Sequence, residues 1–141
     1  MKKKKVLIVV SKYDEIFANH LLKFAVDQLK TQSWIKKSII EVPGSFEIPS
    51  IIEKYIKKFD GIVALGCIIK GETNNFDLIS KSITDSLMNL SIKHKKPIGN
   101  GIITCFNEKQ ARERLNKGRE AATAVQKILL LDSKDEPLNL D

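Results

Sequence analysis

Three stretches of the chain carry side chains that can do chemistry at spacings that bring them together. In Val42-Pro43-Gly44-Ser45-Phe46-Glu47-Ile48-Pro49 an aromatic and a carboxylate stand side by side after a β-branched run. Phe46 can stack on a planar ligand and Glu47 can accept hydrogen bonds from hydroxyls. The same residues also suit a Pro-Gly turn into a helix, with Phe46 in the core and Glu47 as a first-turn acid favoured by the helix dipole. In Gly66-Cys67-Ile68-Ile69-Lys70-Gly71-Glu72-Thr73, glycine allows a tight turn just ahead of a helical stretch that Thr73 or Asn74 could cap. First-turn N–H groups and the helix dipole would make that turn an anion site, although a plain strand-to-helix turn has the same composition. It is neither a Walker loop nor a dinucleotide fingerprint, because Gly66 and Gly71 are followed by Cys67 and Glu72. The third stretch holds Arg112, Arg114, Lys117 and Arg119. Arg114 offers a planar fork to phosphate and Lys117 a point charge, while a solvated basic face is the alternative. Helical spacing does not aim all four one way.

The remaining reactive residue types are isolated. His20 falls in the first helical stretch, and His94 falls at the basic end of the third, as a C-terminal cation or a surface residue. Cys67 and Cys105 have no partner at metal-ligand spacing and lie in or beside strand-like runs, so they are expected as reduced core residues. Neither a metal constellation nor a serine, histidine and aspartate arrangement is legible in the sequence.

Short β-rich runs alternate with helical ones around these stretches. Residues 6–10, 38–42, 61–67 and 98–104 are β-branched and bounded by Pro, Gly or Asp, which predicts strands. Residues 15–32, 46–59 and 73–93 repeat apolar side chains at three and four; in the first, Ile16, Leu21, Leu22, Ala25, Val26 and Leu29 form one stripe. Asn107 can cap a helix running to Arg114, and residues 119–131 form another. This order predicts an α/β fold: a three-layer α/β/α sandwich around a central four-stranded parallel sheet, flavodoxin-like, with right-handed crossovers. Ligands gather at the carboxyl ends of such strands, which here are residues 11–14, 42–49, 67–75 and 104–107. The acidic tail from Asp132 is expected to be loose.

With 141 residues the chain has the size of one domain, and residues 1–141 are expected to form it. Hydrophobic residues at 43% and charged residues at 29% give the balance of a globular protein. No apolar run is long enough to span a membrane. The apolar stretch after lysines 2–5 is shorter than a signal peptide needs, so a first strand and a cytoplasmic location are expected. Those lysines supply four of the seven net positive charges, which suggests a mobile, solvated basic arm on a nearly balanced domain. The aromatics are scattered, without the basic interleaving of a single-strand binder, and nucleic acid is not an expected partner.

Four segments in register resemble lumazine synthase, the 6,7-dimethyl-8-ribityllumazine synthase of riboflavin biosynthesis. They are residues 42–49, the run Ala64-Leu65-Gly66-Cys67-Ile68-Ile69-Lys70-Gly71-Glu72-Thr73, then Gln110-Ala111-Arg112-Glu113-Arg114, and Asn116-Lys117-Gly118-Arg119-Glu120-Ala121-Ala122. The resemblance covers nearly the whole chain. It implies condensation of 5-amino-6-ribitylaminouracil with 3,4-dihydroxy-2-butanone 4-phosphate through a Schiff base, with loss of phosphate and ring closure, and with no metal or organic cofactor. It also implies a homo-oligomer, either a pentamer or an assembly of pentamers, with sites at subunit contacts.

By the same resemblance Tyr13 matches an aromatic that stacks on the pyrimidine. Phe46 matches the pocket's second aromatic, and Glu47 the carboxylate that holds the ribityl chain. Ser45, Cys67, Ile68 and Ile69 would present backbone groups to the heterocycle. Gly71, Glu72 and Thr73 match the phosphate turn, Arg114 the arginine that reaches that phosphate from a neighbour, and Lys117 a lysine near the reacting end. The sequence departs from the family at Asn75, where a proton-shuttling histidine is usual, and at Asn100, where an aromatic from the adjacent subunit closes the pyrimidine site. The connection from Arg114 to Asn116 is also shorter than the family's. An amide cannot exchange a proton near neutral pH, so the resemblance implies a slow synthase. The alternatives are a lumazine synthase-like ligand-binding or shell-forming protein without catalysis, and a monomeric flavodoxin-like binder of a phosphorylated ligand.

Overall fold

A computed structural model describes residues 2–71, 75–132 and 136–140. Four parallel strands, β1 (Lys4–Ser11), β2 (Ile35–Val42), β3 (Gly61–Ile69) and β4 (Ile98–Cys105), lie in the order β2-β1-β3-β4. That is the doubly wound, flavodoxin-like order, and it puts helices on both faces of the sheet. On one face α1 (Glu15–Lys30), α4 (Glu108–Glu113) and α5 (Lys117–Asp132) cover Val6, Ile8, Val10, Val63 and Leu65; on the other α2 (Ile48–Tyr55) and α3 (Phe76–His94) cover Leu7, Val9, Ile62 and Ala64. Because β1 and β3 are central and buried on both faces, their sequences are continuous apolar runs rather than alternating ones.

The structure extends the expected second strand back to Ile35. Lys36 and Lys37 disguised that start, yet on an edge strand they can point to solvent while their backbone still pairs with Lys5 and Val6. The expected helix over 46–59 is broken into a 3₁₀ turn (Ser45–Glu47), α2, and a second 3₁₀ turn (Ile56–Lys58). Pro49 explains part of this, since it fits the first turn of a helix, where its missing N–H leaves no bond unmade. The expectation of a mobile basic arm is corrected for half of its length: Lys4 and Lys5 belong to β1 and pair with Ile35 and Lys36. Asn107 caps α4 as expected, its Oδ1 accepting from the Gln110 N–H at 2.9 Å.

Packing of α5 fixes the far edge. A side chain at Gly118 would collide with the Leu21 carbonyl and one at Gly99 with the Ala121 carbonyl, so these two glycines let α5 sit directly on α1 and β4. A buried amide pair joins the same helices, Gln28 Nε2 donating to Gln126 Oε1 at 2.8 Å and Gln126 Nε2 to the Gln28 carbonyl at 3.0 Å. Cys67 and Cys105 are buried thiols and form no disulfide among the described residues. No helix among the described residues is long and apolar enough to cross a membrane.

Candidate active site

The carboxyl ends of β1, β2 and β3 carry the first group of predicted residues. Lys12 N–H donates to the Val42 carbonyl at 2.9 Å and Tyr13 N–H to the Pro43 carbonyl at 3.0 Å, so the loops after β1 and β2 are zipped together. Asp14, at φ 55°, then turns the chain into α1, a left-handed position that Asp tolerates better than most residues. Tyr13 is left exposed on the rim.

The turn after β2 folds back over the sheet. Ser45 is buried against Gly66 of β3, where a Cβ would lie only 2.5 Å from Ser45 Oγ. Glycine at this position is what allows the turn to seat. The hydroxyls of Ser45 and of Ser11 beneath it are buried with no hydrogen-bond partner among the described residues. The turn holds Phe46 outward with 69% of its surface exposed, so the reading of Phe46 as a core residue fails. Glu47 is half-buried beside it, and both line a cleft of about 350 Å³ against Ser82 and Ser86 of α3.

At the end of β3 the side chains of Cys67, Ile68 and Ile69 are buried, which leaves backbone as what this strand end can offer a ligand. Gly71 follows at φ 96°, a conformation open to glycine at no steric cost. Glu72, Thr73 and Asn74 lie outside the described residues, so the phosphate turn and its two suggested caps are not located. Asn75 occupies the N-cap position of α3, exposed and without a side-chain cap bond, its carbonyl accepting from the Ile79 N–H at 2.8 Å. Phe106 went unnoticed in the sequence. It is 62% exposed, its ring 6.2 Å from that of Phe76, with Lys70 Nζ 5.4 Å from its centre. An aromatic placed just after a strand end was the available signal.

The second group lies at the edge strand. Asn100, Arg114 and Lys117 line one cleft of about 480 Å³ with Thr104, Glu113 and Glu120. Arg114 Nη1 donates to the Thr104 carbonyl at 2.9 Å, which holds the guanidinium at the end of β4. Asn100 Oδ1 accepts from the Ile102 N–H at 3.0 Å. The four cations diverge as their spacing predicts: Arg112 lines a different cleft beside His20, and Arg119 lies 5.1 Å from the Phe24 ring on α1. Burial pushes the Cys105 thiol above its ordinary pKa, against the opposing pull of nearby Arg114 and Cys67.

His94 stands in the last turn of α3, as expected, but it is not a plain surface residue. Its side chain is 10% exposed and its Nε2 lies 2.8 Å from Glu53 on α2. With Lys93 as a second partner at 3.3 Å, this contact holds the Glu53 carboxyl below the ordinary range. Among the described residues no group of three or more His, Cys, Asp or Glu side chains could hold a metal.

A doubly wound parallel sheet with exposed aromatics, a carboxylate and strand-end backbone at its carboxyl edge belongs to the class of α/β domains in which small molecules bind at that edge. Comparison with known proteins narrows this class. The model of the 6,7-dimethyl-8-ribityllumazine synthase family matches residues 3–133. The protein named 6,7-dimethyl-8-ribityllumazine synthase in Buchnera aphidicola subsp. Baizongia pistaciae is 44% identical over 92% of this chain and 89% of its own length. Its namesake in Bartonella tribocorum is 40% identical over 94% and 93% respectively. A solved fragment from Peptoclostridium difficile 630 shares the fold alone, with a TM-score of 0.52 at 16% identity over 89% of this chain and 99% of that one. The chain belongs to the 6,7-dimethyl-8-ribityllumazine synthase family.

Proposed function

We propose that the protein is a cytoplasmic transferase of riboflavin biosynthesis that condenses 5-amino-6-ribitylaminouracil with 3,4-dihydroxy-2-butanone 4-phosphate. The observation that carries this reading is the turn seated on Gly66, which holds an exposed phenyl ring and a carboxylate side by side at the mouth of the sheet. Phe46 and Tyr13 would stack on the pyrimidine, and Glu47 would accept from ribityl hydroxyls. Ser45 and the strand end at Cys67, Ile68 and Ile69 would offer backbone groups to the ring. Gly71, Glu72 and Thr73, ahead of α3, would take the phosphate on backbone N–H groups.

The pyrimidine's free amine attacks the ketone carbonyl and water is lost as the imine forms; the adjacent carbon gives up its proton as phosphate leaves, and the resulting enol becomes a ketone; the exocyclic ribitylamino nitrogen then attacks that carbonyl and a second water is lost as the ring closes. Asn75 can orient a reacting group by hydrogen bonding but cannot exchange its proton, so water, the substrate phosphate or Lys117 carries protons and the turnover is slow. Holding the two reactive partners together supplies much of the acceleration.

Asn100, Arg114 and Lys117 line a cleft that Phe46 and Glu47 do not share. This supports a site completed by a second copy, whose Arg114 would reach the phosphate, within a pentamer or an assembly of pentamers. Exposed Ile16, Leu78, Met88 and Ile92 leave apolar surface for such contacts. The test is lumazine chromophore formation from the two substrates, corrected for the uncatalysed reaction. Turnover above background supports the synthase. Tight product binding without turnover would replace it with a non-catalytic ligand-binding or shell-forming relative, the reading that Asn75 favours.

A further inference from the structure

The strongest concentration of charge lies at the opposite end of the sheet from the candidate site. There lysines 2–5 with Lys57, Lys58 and Lys96 surround a basin of about 370 Å³, whose other walls are Phe59 and Asp60. Seven lysines against one carboxylate gather six of the chain's seven net positive charges at this one place. The topology brings them together, since β1 and β3 begin here and the segments of α2 and α3 end here.

Helix C-termini favour cations, and this accounts for Lys96, whose Nζ donates to the Ile56 carbonyl at 2.9 Å. Lys3 Nζ is likewise engaged by the Ser33 carbonyl at 2.8 Å. Neither explanation covers Lys2, Lys5, Lys57 and Lys58, whose side chains make no ion pair or hydrogen bond with the described residues. Asp60 does not offset them, because its Oδ2 is tied to the Lys5 backbone N–H at 2.7 Å. Four uncompensated cations around a concavity repel one another unless an anion sits between them. The volume is at the low end of small-molecule sites, which run from roughly 300 to 1,000 Å³. A concavity of that size favours a compact ligand over a polymer or a membrane, both of which would meet a ridge or a flat face.

We propose that this basin binds a chain of two or three phosphates, either free or carried by a nucleoside. Titration of the full chain at low ionic strength with inorganic tripolyphosphate, ATP and orthophosphate, followed by calorimetry, tests it. Tripolyphosphate is expected to bind more tightly than orthophosphate. The double variant Lys57→Ala/Lys58→Ala, altered only at exposed side chains, is expected to weaken binding at least 10-fold, and Lys109→Ala, an exposed lysine on α4 at the other end of the sheet, to leave it unchanged. Affinity should fall steeply with added salt. Equal affinity for ATP identifies the phosphate chain as the ligand; ATP binding 10-fold tighter makes a nucleoside part of it. Both results support the basin. Absence of tripolyphosphate binding at millimolar concentration overturns the proposal. So does loss of binding in Lys109→Ala but not in the double variant, and so does binding of single-stranded RNA or anionic phosphatidylserine vesicles without tripolyphosphate. Single Lys57→Glu, read alongside circular dichroism, guards against misfolding of the double variant.

Discussion

Replacing Gly66 by Ala should damage the fold and the site together, through one identifiable collision. The new methyl would sit 2.5 Å from Ser45 Oγ, 3.3 Å from Ser11 Cβ and 3.7 Å from Ile102 Cγ2. Only the first is far inside van der Waals contact, so Ser45 Oγ must swing aside within its buried site or the turn carrying Phe46 and Glu47 must lift off β3. Overpacking of this kind costs about 1–3 kcal/mol. In a chain of this length that corresponds to a fall in Tm of roughly 3–12 °C, read at one fixed protomer concentration. Ser45→Ala removes the colliding oxygen, and because that hydroxyl is buried without a partner among the described residues its loss alone should cost less than about 1 kcal/mol. The double variant should therefore regain most of the stability lost by Gly66→Ala, with a coupling of about 1–2 kcal/mol between the two positions. In steady-state kinetics Gly66→Ala should raise KM for the ribityl substrate more than it lowers kcat, and the double variant should restore KM. If denaturant unfolding shows the two substitutions simply adding, within about 0.5 kcal/mol, the seating of the turn on Gly66 is wrong.

Asn75→His should raise kcat by about 100-fold and add a limb to the pH–rate profile near pH ~6.5, the ordinary histidine pKa; an unchanged rate and profile would mean that proton transfer does not limit turnover. Arg114→Ala should weaken use of the phosphorylated substrate by about 10- to 100-fold in kcat/KM while leaving KM for the ribityl substrate nearly unchanged, a split that a general loss of structure would not produce. Co-refolding the impaired Arg114→Ala with the impaired Phe46→Ala should raise activity above that of either variant alone, because mixed assemblies contain some sites with both wild-type halves; no recovery from an assembled mixture would place the whole site within one chain. Glu53→Gln should destabilise the protein at neutral pH. The folded-state pKa of Glu53 is depressed, so its contribution is complete above about pH 4.5 and disappears as pH falls through the lowered value, and the Tm gap to wild type should close over that acid range.

Most of the fold was legible because it rests on burial, and burial leaves a pattern. The apolar runs within β1 and β3 are unbroken, as strands covered on both faces must be, and α1 shows its stripe because one face packs inward, except at Ile16, which is exposed while Phe17 and Ala18 are buried instead. What escaped the pattern was decided by backbone or by tertiary contact. Lys36 and Lys37 obscured the start of β2, since an edge strand can carry charge without losing its ladder. Residues 46–59 repeat like one helix, but the structure tightens both ends of this stretch into 3₁₀ turns, Ser45–Glu47 and Ile56–Lys58. The burial of His94 escaped because its partner, Glu53, lies on another helix and no local spacing connects them.

The candidate site divides along the same physical line. Composition and spacing singled out Phe46 and Glu47 as unusual, yet could not separate an exposed pair from a helix start, because the difference lies in whether the turn can lie flat on β3. Gly66 decides that, and it is many residues away in the chain. Arg114 and Lys117 were legible as cations, and their divergence from Arg112 and Arg119 follows from helical geometry alone. What joins Arg114 to Phe46 is not a property of the chain's internal contacts, since the two line separate clefts. A guanidinium tied to the Thr104 carbonyl at the outer edge strand is well placed to face a neighbour and poorly placed to face its own β2 turn, three strands across the sheet at roughly 4.8 Å per step. The resemblance supplied the missing relation, and the proposal that Phe46 meets Arg114 from a second copy agrees with the edge position of this arginine, three strands away from the turn that carries the ring.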